Sequence, residues 1–126
     1  SIDNVIQDRD HGFINLNFNQ HLNDYNPTDD NHVRQILDKD GLDLDKVTII
    51  TLMSCKLITD EALKIIAQKC SRLEYLDVSN CSNAVTDEGI RSIFVSNPNL
   101  TELWFNSCEK VTVGIINAII THTPNI

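Results

Sequence analysis

Cysteine and histidine are the residue types in this chain best suited to metal binding or nucleophilic catalysis, and there are four of each. A structural zinc site needs four ligands around one point, and its cysteines and histidines usually come in closely spaced pairs. No two cysteines are paired in this way, and no two histidines show an HxxxH or HxH spacing. We therefore expect neither metal ligands nor catalytic residues among Cys55, Cys70, Cys81, Cys108, His11, His21, His32 and His122.

A dense acidic stretch, residues 38–45 (DKDGLDLD), has the composition of a calcium-binding loop. Such a loop has glycine at its sixth position and oxygen ligands at its first and twelfth positions. With Gly41 as the sixth residue, these ligand positions fall on Ile36 and Val47, which have no side-chain oxygen. We interpret the stretch as a solvated connection, and the alternative is weak, millimolar calcium binding.

Glycine spacing and net charge exclude further classes of function. The four glycines are isolated from one another, so no phosphate-binding loop is predicted. The net charge of −8 repels phosphate backbones and anionic membrane surfaces, and the longest apolar runs are only three residues. We expect a protein that is not an enzyme, uses no cofactor, and binds neither nucleic acid nor a membrane.

The strongest pattern in the 126 residues is a repeat. Residues 47–55 (VTIITLMSC), 73–81 (LEYLDVSNC) and 100–108 (LTELWFNSC) follow one template, LxxLxLxxC, and their starts lie 26 and 27 residues apart. Each copy is followed by a second common half, in which an apolar residue and a threonine precede apolar positions at helical spacing. These second halves begin at Ile58, Val85 and Val111. One strand followed by one helix is therefore predicted for each copy.

A degenerate copy precedes the three regular ones. Phe13, Leu16 and Phe18 occupy its strand positions, His21 stands where the others have cysteine, and Thr28 with the next residue opens its helical stretch. We predict a single domain over residues 1–126. It divides into an N-terminal segment with the degenerate repeat (1–43), regular repeats (44–70, 71–97 and 98–123), and the start of a further repeat (124–126).

These two halves together resemble the cysteine-containing class of leucine-rich repeats found in F-box substrate receptors of ubiquitin ligases. The resemblance covers residues 44–126 well and residues 13–43 loosely. It implies an α/β fold, namely a ribonuclease-inhibitor-like solenoid of about four repeats with parallel strands on the concave face and helices on the convex face. Residues 1–43 show no segment that resembles an F-box. The third copy has Val113 where the others have aspartate, so its helix lacks an acidic start.

Stacked repeats would place equivalent residues in register. Cys55, Cys81 and Cys108 then form a column about 5 Å apart, as buried structural thiols rather than disulfides. The threonine before each helix is predicted to be its N-cap, and the acidic residues after it favour the positive end of the helix dipole.

The third, fifth and seventh template positions are predicted to face away from the core. In the degenerate copy these positions are three asparagines, and in the regular copies they include the chain's only Trp and only Met. Large aromatic side chains are the most enriched in binding hot spots, and acidic neighbours favour a basic or polar partner. The residues that we predict to bind a partner are Ile49, Met53, Tyr75, Asp77, Glu102, Trp104 and Asn106. The alternative is that other parts of a larger protein cover them.

Two functions remain open. The first is a protein-interaction module that binds a protein on its concave face, which the resemblance links to substrate recognition in a ubiquitin ligase; a small-molecule ligand is not expected. The second is a structural or assembly subunit of a larger complex, with a mitochondrial assembly as one setting. Unpaired cysteines and the lack of a signal-peptide pattern favour an intracellular location, either cytoplasmic or nuclear, with a mitochondrial one as the alternative.

Overall fold

The computed structural model describes residues 4–8, 12–19, 26–123 and 125–126. The predicted cysteine-equivalent His21 and Pro124 of the predicted further repeat lie outside the described residues. Over the described residues the fold is α/β, with a five-stranded, mostly parallel sheet and four α-helices. The strands are β1 (Ile6–Asp8), β2 (Ile14–Asn17), β3 (Val47–Thr51), β4 (Tyr75–Asp77) and β5 (Glu102–Trp104). The helices are α1 (Asp30–Leu37), α2 (Asp60–Lys69), α3 (Asp87–Ser96) and α4 (Ile115–His122), and a short 3₁₀ helix (Leu44–Lys46) precedes β3.

Strand order in the sheet follows the order in the chain, β1-β2-β3-β4-β5. The pairs from β2 to β5 are parallel, because a helix returns the chain to the same end of the sheet between successive strands. We call each strand with its following helix a strand–helix unit; there are four, β2–α1, β3–α2, β4–α3 and β5–α4. One such unit falls within each of the segments 44–70, 71–97 and 98–123. Strand β1, which the sequence pattern did not predict, pairs antiparallel with β2.

The core lies between the sheet and the helices. The leucine positions of the template are fully buried in the middle units, as Ile50, Leu52 and Leu76 illustrate. The prediction for the degenerate copy was wrong at Phe13, which is 44% exposed. A register shift between Ile14 and Asn15 instead brings Ile14, 7% exposed, opposite Val47.

Helix starts follow the predicted capping in the two middle units. The hydroxyls of Thr59 and Thr86 accept from the amides two residues later, as N-cap side chains do. In the first unit the predicted Thr28 cap is wrong by one residue, because Asp29 is the N-cap and forms a capping box with His32.

The last helix departs most from its predicted pattern. The hydroxyl of Thr112 accepts from the Gly114 amide at 3.0 Å, but regular helix begins only at Ile115, after a glycine that offers no side-chain cap. The predicted apolar stripe is therefore incomplete: Ile115 is buried, whereas Ile116 is 51% exposed because no further helix of the described chain packs on that side.

A ladder of carboxylates joins successive units. The first aspartate of α1, α2 and α3 accepts from both the amide and the hydroxyl of the threonine that precedes the next helix. Asp60 accepts from Thr86 N at 2.8 Å and from Thr86 Oγ1 at 2.5 Å, and Asp30 and Asp87 bond Thr59 and Thr112 in the same way. The sequence had suggested only a dipole role for these carboxylates. In the structure they hold one unit against the next.

Candidate functional site

The predicted partner-binding residues lie on the face of the sheet that points away from the helices. We call this the strand face and define it by the outward side chains of β3 to β5 and of the residues that follow each strand. Across it, Tyr75 pairs in register with Ile49 on one side and Glu102 on the other. Asp77, two residues further along β4, pairs with Thr51 and Trp104.

A depression of about 620 Å³ lies at the carboxyl ends of these strands. Five of the seven predicted residues line it; Ile49 and Glu102 do not, although both pair with Tyr75. The five are Met53, Tyr75, Asp77, Trp104 and Asn106. Most of the residues selected from the sequence pattern therefore line one depression.

The exposure of the predicted residues is uneven. Trp104 is 47% exposed and Met53 38% exposed, and Glu102 and Asn106 are also exposed. Ile49 and Tyr75 are half-buried. The expectation of an outward, accessible carboxylate was wrong for Asp77, which is only 8% exposed, because its strand is flanked on both sides by other strands and its carboxylate turns toward the backbone of Ser79.

Two short hydrogen-bonded links orient the acidic side chains. Asp77 Oδ1 accepts from the Ser79 amide at 2.8 Å, which holds the carboxylate at the floor of the depression. On β5, Glu102 Oε2 accepts from Trp104 Nε1 at 3.3 Å, which links the exposed carboxylate to the edge of the indole. Glu102 is thus held beside the indole ring, and Asp77 lies opposite Trp104 in the sheet.

Both carboxylates also act on the tyrosine. Burial raises the pKa of the Tyr75 hydroxyl above its usual value, and repulsion from Asp77 and Glu102 raises it further. The hydroxyl consequently stays protonated at neutral pH and the potential around it is negative.

The rim of the depression contains three residues that the sequence analysis did not select. Ser54, Asn80 and Ser107 occupy the position before the cysteine in each regular repeat, and all three have left-handed backbone with φ of 63°, 57° and 59°. Their turns are joined across the units, since Ser54 N donates to Ser79 O at 2.9 Å and Asn80 N donates to Asn106 O at 2.8 Å. Their shared place before the cysteine was the signal in the sequence that could have identified them.

The template cysteines lie beneath these turns. The thiol of Cys81 donates to Leu52 O at 3.0 Å and that of Cys108 to Val78 O at 3.1 Å, so each thiol bonds the strand end of the preceding unit. Burial raises the pKa of the Cys55 thiol to about 12, and all four cysteines are unpaired. Such thiols are protonated and weakly nucleophilic at neutral pH.

Two aspartates of the acidic stretch 38–45 are bonded within the fold. Asp38 pairs with Lys69 at 2.6 Å, and Asp43 accepts from the Asp45 amide as the cap of the 3₁₀ helix. Within the described part of the chain, no three His, Cys, Asp or Glu side chains are grouped so that they could hold a metal ion. None of the described helices has the length and hydropathy needed to cross a bilayer.

Comparison with known proteins gives a likeness of fold. No family model matches the chain. A chain from the crystal structure of the Rad7 and Elc1 complex in yeast superposes with a TM-score of 0.68 at 17% sequence identity, over 89% of this chain and 26% of that one. The present chain thus spans about a quarter of the length of the protein that it resembles.

Proposed function

We propose that this chain is a non-catalytic protein-interaction module that binds a protein partner on the strand face, as the concave surface of a leucine-rich repeat solenoid. The observation that supports this most is the combination of Trp104, 47% exposed, with Tyr75 and Met53 around one depression. Aromatic side chains bury large areas at low entropic cost and dominate binding energies. Hydrogen bonds between units fix the strands beneath them, so little ordering cost remains on binding.

The finer proposal is that the module recognises a substrate for a ubiquitin-ligase-type protein. It is supported by the resemblance of the LxxLxLxxC repeats to those of F-box receptors and by the fold shared with a chain of the Rad7 and Elc1 complex. The net charge of −8 argues against nucleic acid and membranes as partners. Four unpaired cysteines favour an intracellular location.

The test is affinity capture followed by a binding measurement with the purified partner. We expect the Tyr75→Ala, Trp104→Ala double variant to weaken binding by a factor of about 100, since the contacts of two hot-spot side chains, about 1.4 kcal/mol each, are lost. The matched control is Phe13→Ala, Leu57→Ala, which removes two exposed apolar side chains (44% and 49%) away from the depression. Equal binding by both double variants, with circular dichroism unchanged, would place the interface elsewhere.

A second candidate, a structural subunit of a larger assembly such as a mitochondrial one, is favoured by the apolar side of the last unit. Phe105, Ile116 and Ile120 are 40%, 51% and 67% exposed, whereas their equivalents in the preceding unit are fully buried. Those equivalents are Val78, Ile90 and Phe94. In the described chain, the backbone amide of Phe105 also has no acceptor, although Val78 N donates to Trp104 O at the same place.

Sedimentation velocity separates the two candidates. A protein that binds its partner reversibly is expected to sediment as a monomer at every concentration, whereas an embedded subunit associates through this apolar side. An Ile116→Ser, Ile120→Ser variant should then restore the monomer. Association that persists in this variant would contradict the second candidate.

A further inference from the structure

The strand face contains a two-by-two arrangement of aromatic and acidic side chains, which we call the checkerboard: Tyr75, Glu102, Asp77 and Trp104. Tyr75 faces Glu102 across the β4–β5 pair, and Asp77 faces Trp104. The two rings therefore occupy one diagonal and the two carboxylates occupy the other. The following inference rests on the proposed function and concerns what the partner must present to this place.

The spacing of the checkerboard suits a cation between the rings. Paired strands are about 4.8 Å apart and outward residues repeat every 6.6 Å or so along a strand, which gives a diagonal of about 8 Å. This diagonal joins the points at which the two aromatic side chains leave the sheet. A cation above its middle lies about 4 Å from each point, which brings both rings within the range of about 6 Å for cation–π attraction.

The two carboxylates have no positive partner in the described part of the chain. Asp77 is 8% exposed, lines the depression, and accepts from Ser79 N through its Oδ1. No described residue donates to its Oδ2, and this atom is not sealed from solvent, so an incoming cation can reach it. Among the same residues neither Asp77 nor Glu102 forms an ion pair, and Lys56 donates to Asn80 instead.

We infer that the checkerboard is a recognition site for a lysine or arginine side chain of the protein partner, with the charged group held between Tyr75 and Trp104 and paired with Asp77 and Glu102. The pKa of Tyr75 agrees with this, since it is raised by burial and, beyond that, by the negative charges of Asp77 and Glu102. A cation bound there offsets those two charges. It also neutralises the buried carboxylate, which no described residue does.

Trp104 is the only tryptophan of the chain, so its fluorescence reports directly on the site. The probes are three acetylated and amidated Gly-Ser-Xaa-Ser-Gly peptides in which Xaa is arginine, lysine or citrulline. We expect a saturable change in Trp104 emission at millimolar arginine or lysine peptide, weakened by added salt, and none with citrulline, which has the shape of arginine without its charge. The same change with all three peptides would overturn the inference.

The decisive variant is Asp77→Asn, Glu102→Gln, which retains both rings and the oxygen atoms that accept from Ser79 N and Trp104 Nε1. We expect it to bind the arginine peptide at least about tenfold more weakly, since two charge-assisted contacts are lost. The control, Asp40→Asn with Glu88→Gln, removes two charges from outside the strand face and should bind as the unmodified chain does. Equal binding by the two variants would refute the inference.

The proteins captured from an extract distinguish this inference from the proposed function. If the Tyr75→Ala, Trp104→Ala variant loses its partner while the Asp77→Asn, Glu102→Gln variant keeps it, the strand face binds the partner without a cation and only the inference fails. If both variants keep the partner, the proposed function fails as well. If both variants lose the partner while the Asp40→Asn, Glu88→Gln control keeps it, both proposals are supported.

Discussion

Replacing Gly89 by alanine tests the ladder that joins the units. Gly89 lies in α3, and a Cβ built on it would be 2.2 Å from Asp60 Oδ1 and 2.8 Å from Asp60 Cγ. Those are positions that atoms cannot share, so the Asp60 carboxylate must move away. It then loses its bonds to the Thr86 amide and hydroxyl. Glycine at position 89 therefore leaves the space that the Asp60 carboxylate occupies in the ladder.

The expected change in the free energy of unfolding follows from two opposing effects. Hydrogen bonds to a charged group contribute about 1.5–3 kcal/mol each. Taking the lower value for this half-buried pair, the loss is about 3 kcal/mol. Alanine in a helix gains about 1 kcal/mol over glycine, which leaves a net destabilisation of about 2 kcal/mol. For a domain of this size the melting temperature should fall by about 8 °C.

A double-mutant cycle in urea measures this directly. In an Asp60→Ala background the carboxylate is absent, only the Leu63 methyl at 3.0 Å remains close, and Gly89→Ala should become neutral or stabilising by up to about 1 kcal/mol. The distinctive outcome is that Gly89→Ala destabilises the unmodified chain but not the Asp60→Ala variant. An equal cost of Gly89→Ala in both backgrounds would show that the clash with Asp60 is not the cause.

Two further predictions concern buried polar groups. Asn97→Ala should lower the free energy of unfolding by about 2–3 kcal/mol. Asn97 is fully buried and its Oδ1 accepts from Leu73 N at 2.9 Å, so the variant leaves that buried donor without a partner. Urea unfolding measures the loss against the exposed control Asn99→Ala, and equal midpoints of the two variants would contradict the prediction. The buried thiols of Cys55, Cys70 and Cys81 should make the protein less stable in alkali. The unfolded chain releases their protons above pH 8.5 or so, whereas the folded chain retains them, since burial raises the pKa of two thiols to about 12 and also raises the third. Their stabilisation is complete below that pH and is lost as pH rises toward 12, by about 1.4 kcal/mol per pH unit for each thiol. Urea unfolding between about pH 8 and pH 9.5 measures the slope. Because burial also raises the pKa of the Cys108 thiol, Cys70→Ala should reduce that slope by about a quarter to a third. A slope that this variant leaves unchanged would count against burial as the cause.

Much of the local structure could be predicted because the same residue pattern occurs in each repeat. The alternating leucines specify strands, and a threonine before an apolar helical pattern specifies an N-cap, as at Thr59 and Thr86. Position-by-position alignment of the repeats also placed Tyr75 beside Glu102 and Asp77 beside Trp104, which the parallel register of β4 and β5 shows. These features depend only on neighbours along the chain or on equivalent positions.

Other features depend on what lies on each side of a unit, and a repeat pattern does not contain that information. Asp77 and Trp104 occupy the same template position, yet one is 8% exposed and the other 47%, because β4 has a strand on both sides and β5 has one described neighbour. Two other features likewise arise where the regular pattern stops. One is the antiparallel strand β1, and the other is the register shift in β2 that buries Ile14 in place of Phe13. The sequence by itself determined the four strand–helix units, the caps of the two middle helices and which residues share the strand face. Only the tertiary structure decided which of those residues are buried, and that the aspartate of one helix bonds the threonine of the next, because burial and bonding between units depend on contacts between segments about 26 residues apart.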